Sequence, residues 1–125
     1  MDWVVHIGLV ELAVGGLLGW AMVANLEKPH WVRHAGIVAP HRIRQVHLDY
    51  IMMGLILIAV GLAVPDLPDP IAAYLVFGTI VNPALFVPPA FEPRIGERHW
   101  YRALAVISFF GVSGGLVAAA IVGPG

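Results

Sequence analysis

Residues 42–62, RIRQVHLDYIMMGLILIAVGL, place ionisable side chains directly before a long apolar run. His47 and Asp49 stand where that run begins, and polar groups in an apolar environment are usually paired or functional. A neutral imidazole can bind a metal through one nitrogen while the other donates a hydrogen bond. His47 is therefore either a metal ligand or an interfacial histidine bonded to a loop carbonyl. Asp49 is either a catalytic carboxylate or the ion-pair partner of Arg42, Arg44 or Arg102.

Three further polar features interrupt or flank apolar sequence. Asn82 precedes Pro83, which has no backbone N–H and typically kinks a helix, so this amide could meet a substrate or bridge two helices. Glu11 could lie close enough to the outer side to be hydrated or protonated. His30 and His34 have the i,i+4 spacing of metal ligands, but no third ligand stands out.

Composition places these residues in a membrane. Of 125 residues, 59% are hydrophobic and only 12% are charged, against about 25% charged in a soluble chain, and the mean hydropathy is +0.84. The absence of cysteine excludes disulfides, zinc–thiolate sites and cysteine nucleophiles. We expect the lipid bilayer as a partner, and no nucleic acid.

Four apolar stretches are long enough to cross a hydrocarbon core of about 30 Å as helices. They predict helices at about residues 4–24, 46–64, 70–87 and 101–122. The fold class predicted is therefore all-α, an integral membrane bundle of four transmembrane helices in a single domain, 1–125. The first stretch has no basic residues before it and no signal-peptide cleavage site, so we interpret it as a retained helix.

The basic residues predict the orientation of the bundle. All seven fall in or beside two loops, 25–46 and 88–101: Lys28, Arg33, Arg42, Arg44, Arg94, Arg98 and Arg102. The positive-inside rule puts these loops in the cytoplasm and both termini outside the plasma or inner membrane. We expect a surface-lying piece around residues 31–38.

Two pairs of glycines have the GxxxG spacing that lets helices approach closely. Gly15 and Gly19 form the first pair, and Gly111 and Gly115 form the second. Such pairs serve packing within a chain as readily as contacts between chains.

The segment from Pro40, PHRIRQVHLDYIMMG, resembles the hydroxylaminobenzene mutase family. The second helix of that family opens with Pro and Arg, followed by His-Leu-Glu-Gly-x-Met-Asn-Gly. His47, Leu48, Met52 and Gly54 match, and Asp49 replaces the glutamate. Downstream, GLAVPDLP is similar to the family's exit from this helix, and Asn82 matches an asparagine in its third helix. The related styrene oxide isomerases share the size and the four helices, and the resemblance covers residues 8–90.

The resemblance implies a small membrane-embedded isomerase with a haem b cofactor. Styrene oxide isomerase binds haem b through a histidine at the position matching His47, and its ferric iron acts as a Lewis acid on the epoxide oxygen. A hydride shift then yields an aldehyde. Arg42, Arg44 or Arg33 would pair with the haem propionates.

Several positions depart from the family pattern, among them Met53 and Phe86. Met53 replaces the asparagine before the glycine, and a methionine there could line a porphyrin pocket. Phe86 replaces a tyrosine of the isomerase site, so Asn82, Asp49 and Tyr50 are the candidate catalytic residues.

Three functions follow from these residues. The first is a haem b isomerase for an epoxide or arylhydroxylamine-like hydrophobic substrate. The second is a non-enzymatic accessory subunit that docks a larger membrane complex through its glycine faces. The third, an electron-carrying cytochrome, normally needs two axial ligands. Because so small a bundle buries a porphyrin poorly, we expect a homo-oligomer with haem near a subunit interface, testable by the mass of the solubilised particle.

Overall fold

A computed structural model describes residues 2–125, which form helices and connecting turns. The α-helices are α1 (Asp2–Glu27), α2 (Pro29–His34), α3 (Pro40–Ala63), α4 (Asp69–Ala84), α5 (Val87–Phe91) and α6 (His99–Val122), and Pro93–Glu97 is a 3₁₀ helix. Over this described range there is no β-strand. Four segments are long and apolar enough to cross a membrane: Asp2–Glu27, Pro40–Ala63, Asp69–Phe91 and His99–Val122. The all-α bundle of four long apolar helices is thus confirmed.

The four long helices form two hairpins. Helix α1 packs along α3, helix α4 packs along α6, and the hairpins meet mainly where α3 contacts α4. The hairpin α1/α3 is closed by glycines on both helices, since a Cβ added at Gly54 would lie 2.7 Å from the backbone oxygen of Gly8. In α4/α6 a Cβ at Gly78 would lie 2.5 Å from the Ser108 carbonyl oxygen. The packing of each hairpin therefore depends on direct contact between the backbones of its two helices.

The glycines of the two predicted pairs all face partners within the chain. An added Cβ would lie 2.9 Å from Ile51 N at Gly15 and 2.8 Å from Tyr74 O at Gly111. At Gly19 it would meet the His47 ring, and at Gly115 the Leu75 side chain. These four glycines therefore contribute to packing within the hairpins.

The bundle carries apolar side chains on its outside and buries a few polar ones within an apolar core. Leu17, Trp20 and Ile121 are 68%, 71% and 81% exposed, whereas Thr79 and Ser108 are completely buried. Such an apolar exterior is stable when lipid, not water, covers it. The arrangement fits a multi-pass membrane protein.

The two basic loops meet at one end of the bundle. The backbone N–H groups of Val38 and Ala39 donate to the carbonyl of Ala90, at 2.8 and 3.0 Å. At the other end the Gly125 N–H donates to Ala63 O at 3.0 Å, which places the C-terminus beside the acidic turn that follows α3. Basic and acidic connections thus lie at opposite ends, as the charge pattern predicts.

Two helix boundaries differ from the predicted ones. Helix α3 begins at Pro40 instead of residue 46, because proline suits a first helical position and the polar residues after it form helix well. Arg42 and Arg44 therefore lie on α3 and not in a loop. The third span breaks after Ala84, one residue beyond Pro83, and resumes as α5. Part of the predicted surface piece, 31–38, belongs to the short helix α2.

Candidate functional site

His47 is held by a hydrogen bond to the neighbouring helix. It lies in the second turn of α3, and its Nδ1 is 2.5 Å from the carbonyl oxygen of Gly15 on α1. A carbonyl only accepts, so Nδ1 carries the proton and donates it. Nε2 is then the nitrogen with the free electron pair, and it makes no hydrogen bond to residues 2–125.

Glycine makes this contact possible. The imidazole lies against Gly19, where an added Cβ would come within 3.2 Å of its Cε1 atom. Gly15 and Gly19 are one helical turn apart, so one supplies the acceptor and the other the space. The same pair that closes the hairpin thereby fixes the orientation of the imidazole.

The imidazole borders a groove on the outside of the α1/α3 hairpin. This His47 groove has a volume of about 410 Å³ and is lined by Met22, Asn25, Leu26, Arg44, His47 and Leu48. Its lining is mostly apolar, with the Arg44 guanidinium as its cation. An apolar groove with one fixed imidazole and one arginine suits a flat apolar ligand that carries carboxylates.

A second groove adjoins the first. This Asp49 groove has a volume of about 260 Å³ and is lined by Gln45, Leu48, Asp49, Met52 and Phe86. Leu48 belongs to both linings and is 50% exposed. The imidazole of His47 and the carboxyl of Asp49 therefore border neighbouring surfaces of the same helix.

The other predicted site residues lie outside both grooves or have partners elsewhere. Arg42 donates from Nη1 to Gln45 Oε1 at 3.1 Å, and Tyr50 donates its hydroxyl to the Ile80 carbonyl at 2.8 Å. Met53 is buried in the bundle. Asn82 is half-buried, and its side chain forms no hydrogen bond with the described residues. The structure thus brings His47 and Arg44 to one groove, whereas Asp49 lines the adjoining groove.

Asp49 has no ion-pair partner among residues 2–125. Arg42 is bonded to Gln45, and Arg102 donates from Nε to the Gly96 carbonyl at 3.4 Å. The half-buried carboxyl of Asp49 is therefore available to whatever enters its groove.

Among residues 2–125, His47 is not part of a cluster of side chains that could bind a bare metal ion. Within the described chain, 2–125, no three His, Cys, Asp or Glu side chains come together as a metal site, and this includes the spaced pair His30 and His34. A porphyrin supplies four nitrogens itself and asks the protein for an axial ligand. One imidazole with its Nδ1 proton donated to a carbonyl meets that need, because such a bond fixes the tautomer of ligating histidines.

Glu11 is the buried polar residue whose environment the sequence analysis did not establish. Its side chain is 4% exposed, and neither carboxyl oxygen has a hydrogen-bond partner among residues 2–125. It is not hydrated at the outer side but lies inside the bundle. The signal was the spacing: Gly8, Glu11, Gly15 and Gly19 recur at intervals of three and four residues, which puts Glu11 on the helix face that meets α3.

No family model, curated protein or solved structure matches the chain. The resemblance to the mutase and isomerase family therefore rests on the quoted residues, chiefly those of α3.

Proposed function

We propose that the protein is a membrane-embedded isomerase that binds haem b in the His47 groove and acts on a small hydrophobic epoxide or arylhydroxylamine-like substrate. The observation that supports this most is the hydrogen bond from His47 Nδ1 to the Gly15 carbonyl. It leaves Nε2 as a neutral, oriented ligand atom at the edge of an apolar groove.

Five of the six residues that line the groove would help to hold the cofactor. His47 would hold the haem through Nε2, and Arg44 would pair with a carboxylate of the cofactor at the basic end. Met22, Leu26 and Leu48 provide apolar contacts for the porphyrin face. When bound, the haem iron supplies a Lewis acid for the substrate oxygen.

The adjoining groove is the proposed place for the substrate. Leu48, Met52 and Phe86 give this groove apolar walls, and an apolar surrounding would protect a reactive intermediate from hydrolysis. Asp49 is the titratable side chain of this lining; its carboxylate would stabilise the positive charge that develops on the substrate carbon, and it would hold the proton that the ring of an arylhydroxylamine gives up. Tyr50 and Asn82, the other catalytic candidates, do not border this groove.

A second copy of the chain is part of the proposal. Both grooves are open towards the outside of the bundle, so a porphyrin bound there keeps one side uncovered. A homo-oligomer that covers it completes the site. The basic end faces the cytoplasm in the plasma or inner membrane, with the termini outside.

The proposal is tested by incubating haem-loaded protein with an aryl epoxide and, separately, an arylhydroxylamine, without oxygen or reductant. We expect isomerisation of one of them to an aldehyde or an aminophenol, respectively. Asp49→Asn should lower kcat roughly 10²-fold or more, as loss of a positioned acid–base group does. The matched control Asp66→Asn, an exposed carboxyl in the turn after α3, should leave kcat unchanged. Haem-loaded protein that converts neither substrate would refute the isomerase assignment.

A further inference from the structure

The junction between the two hairpins contains a carboxyl group without a partner. Glu11 points from α1 into the region where α1, α3 and α4 meet. It is 4% exposed, and within residues 2–125 neither of its oxygens accepts or donates a hydrogen bond. Buried polar side chains normally have a hydrogen-bond partner, so we expect Glu11 to bind a ligand that the protein itself does not supply.

The groups around Glu11 do not neutralise it. Helix α4 presents Thr79, but the Thr79 hydroxyl donates to its own helix, to Val76 O at 2.8 Å. Helix α3 presents Asp49 and Tyr50 close enough to interact electrostatically. The Tyr50 hydroxyl is already donated to the Ile80 carbonyl. The surrounding groups are therefore a second carboxyl and two hydroxyls whose protons are already donated to backbone carbonyls. None of them is a cation.

A bare carboxylate in such surroundings is strongly disfavoured, because it has lost water without gaining a hydrogen bond or a counter-charge. Neither groove described above reaches Glu11, so a bulky cation has no access from them. The ligand that fits a carboxyl in a packed interior is a proton.

We propose that Glu11 is a proton-binding site that controls how tightly the two hairpins pack. With its proton bound, the neutral carboxyl is compatible with the dry junction between α1, α3 and α4. When the proton is released, the charge draws water into the junction and loosens α4 from the α1/α3 hairpin. The interface between the hairpins is the less extensive one, since α3 packs on α4 over a shorter stretch than α1 packs on α3 or α4 on α6.

The first test is infrared spectroscopy of the full chain in lipid or mild detergent near neutral pH. We expect the C=O stretch of a protonated carboxylic acid in the wild type and its loss in Glu11→Gln. The control Glu27→Gln changes an exposed carboxyl at the end of the same helix and should keep the band. A wild-type spectrum without a Glu11-dependent acid band near neutral pH would overturn the proposal.

The second test is thermal unfolding at about pH 5 and at alkaline pH, because a carboxyl that keeps its proton in the folded chain costs stability once the pH exceeds the range in which an ordinary carboxyl ionises. The wild type and Glu27→Gln should lose on the order of 5 °C in Tm at alkaline pH, whereas Glu11→Gln and Glu11→Leu should not. Because Glu11 has no partner to lose, both Glu11 variants should fold with a wild-type Tm or higher at the lower pH. Failure of both to fold, or an alkaline fall in Glu11→Gln equal to that of the wild type, would contradict the proposal.

Discussion

At the scale of single residues, His47 differs from the other five histidines by its environment. His6, His30, His34, His41 and His99 are exposed, whereas His47 is half-buried and bonded to a carbonyl of another helix. The sequence identifies His47 by its place before an apolar run. It does not identify Gly15 as the acceptor, because that residue is 32 positions away and only the packing of α1 on α3 brings the two together.

The sequence likewise does not decide which arginine lies beside His47. Arg42, Arg44 and Arg33 are equivalent candidates in the sequence, but Arg42 and Arg44 are two positions apart on a helix and point in different directions. Arg42 reaches Gln45 and Arg44 borders the His47 groove. Because α3 begins at Pro40, both arginines lie on this helix, and the direction in which each one points decides which of them could pair with a propionate.

The Arg44 assignment predicts a specific loss of haem affinity. Arg44→Gln removes the cation of the His47 groove, and a hydrogen bond to a charged group contributes about 1.5–3 kcal/mol. We expect haem to bind roughly 10- to 100-fold more weakly in a haem titration of the detergent-solubilised protein. Arg94→Gln, in the 3₁₀ helix, is the matched control and should bind haem like the wild type. Equal affinities of the two variants would remove Arg44 from the site.

At the scale of helices, tyrosine hydroxyls link neighbouring elements. Tyr50 donates to the Ile80 carbonyl from α3 to α4, and Tyr74 donates to the Ile107 carbonyl from α4 to α6, at 2.7 Å. Tyr101 on α6 donates to the Leu85 carbonyl in the break between α4 and α5. This gives Tyr50 a structural contact that the catalytic hypothesis did not include. A tyrosine's type and position do not reveal such a bond, since its acceptor is a backbone atom of another helix.

The four long helices were predictable from the sequence, because a chain that crosses lipid must form long apolar segments that make their backbone hydrogen bonds internally. The start of α3 was not, because the apolar run begins six residues after Pro40 and hydropathy alone does not include the polar first turns. The sequence did not decide whether the GxxxG pairs pack helices within one chain or between chains, since the spacing is the same in both cases. Their hairpin role became clear only from their contacts with α3 and α4.

The close α1/α3 contact predicts opposite effects at two adjacent glycines. A Cβ at Gly15 would lie 2.9 Å from Ile51 N and 3.2 Å from His47 O, whereas one at Gly16 would meet nothing within 4 Å. Gly15→Ala should therefore push the helices apart, lower the free energy of unfolding by about 1–3 kcal/mol and weaken haem binding. Gly16→Ala should be neutral or stabilise the helix by up to about 1 kcal/mol.

Thermal unfolding and haem titration of both variants check this prediction. If Gly15→Ala unfolds and binds haem like Gly16→Ala, the hairpin is not closed by backbone contact at Gly15.

At the scale of the whole molecule, the protein combines an apolar exterior, a mostly apolar interior with a few polar side chains, and charge at its ends. The basic connections meet at one end and the acidic turn lies at the other, as the distribution of Lys and Arg predicts. The interior position of Glu11 and the two adjoining grooves on α3 were not predictable residue by residue, because both depend on how the two hairpins are assembled. The proposed cofactor site and the proposed proton site are therefore properties of the assembled bundle, one on its outer face and one at its centre.

The central claim is that His47 binds haem, and an absorption spectrum tests it most directly. The protein is expressed with a haem precursor, purified in mild detergent and compared with His47→Ala and with His41→Ala, which changes an exposed histidine of the same helix. We predict a Soret band at one haem per chain in the wild type and in His41→Ala, and no band in His47→Ala. A folded wild type without a Soret band, or a His47→Ala variant with its full haem content, would contradict the account.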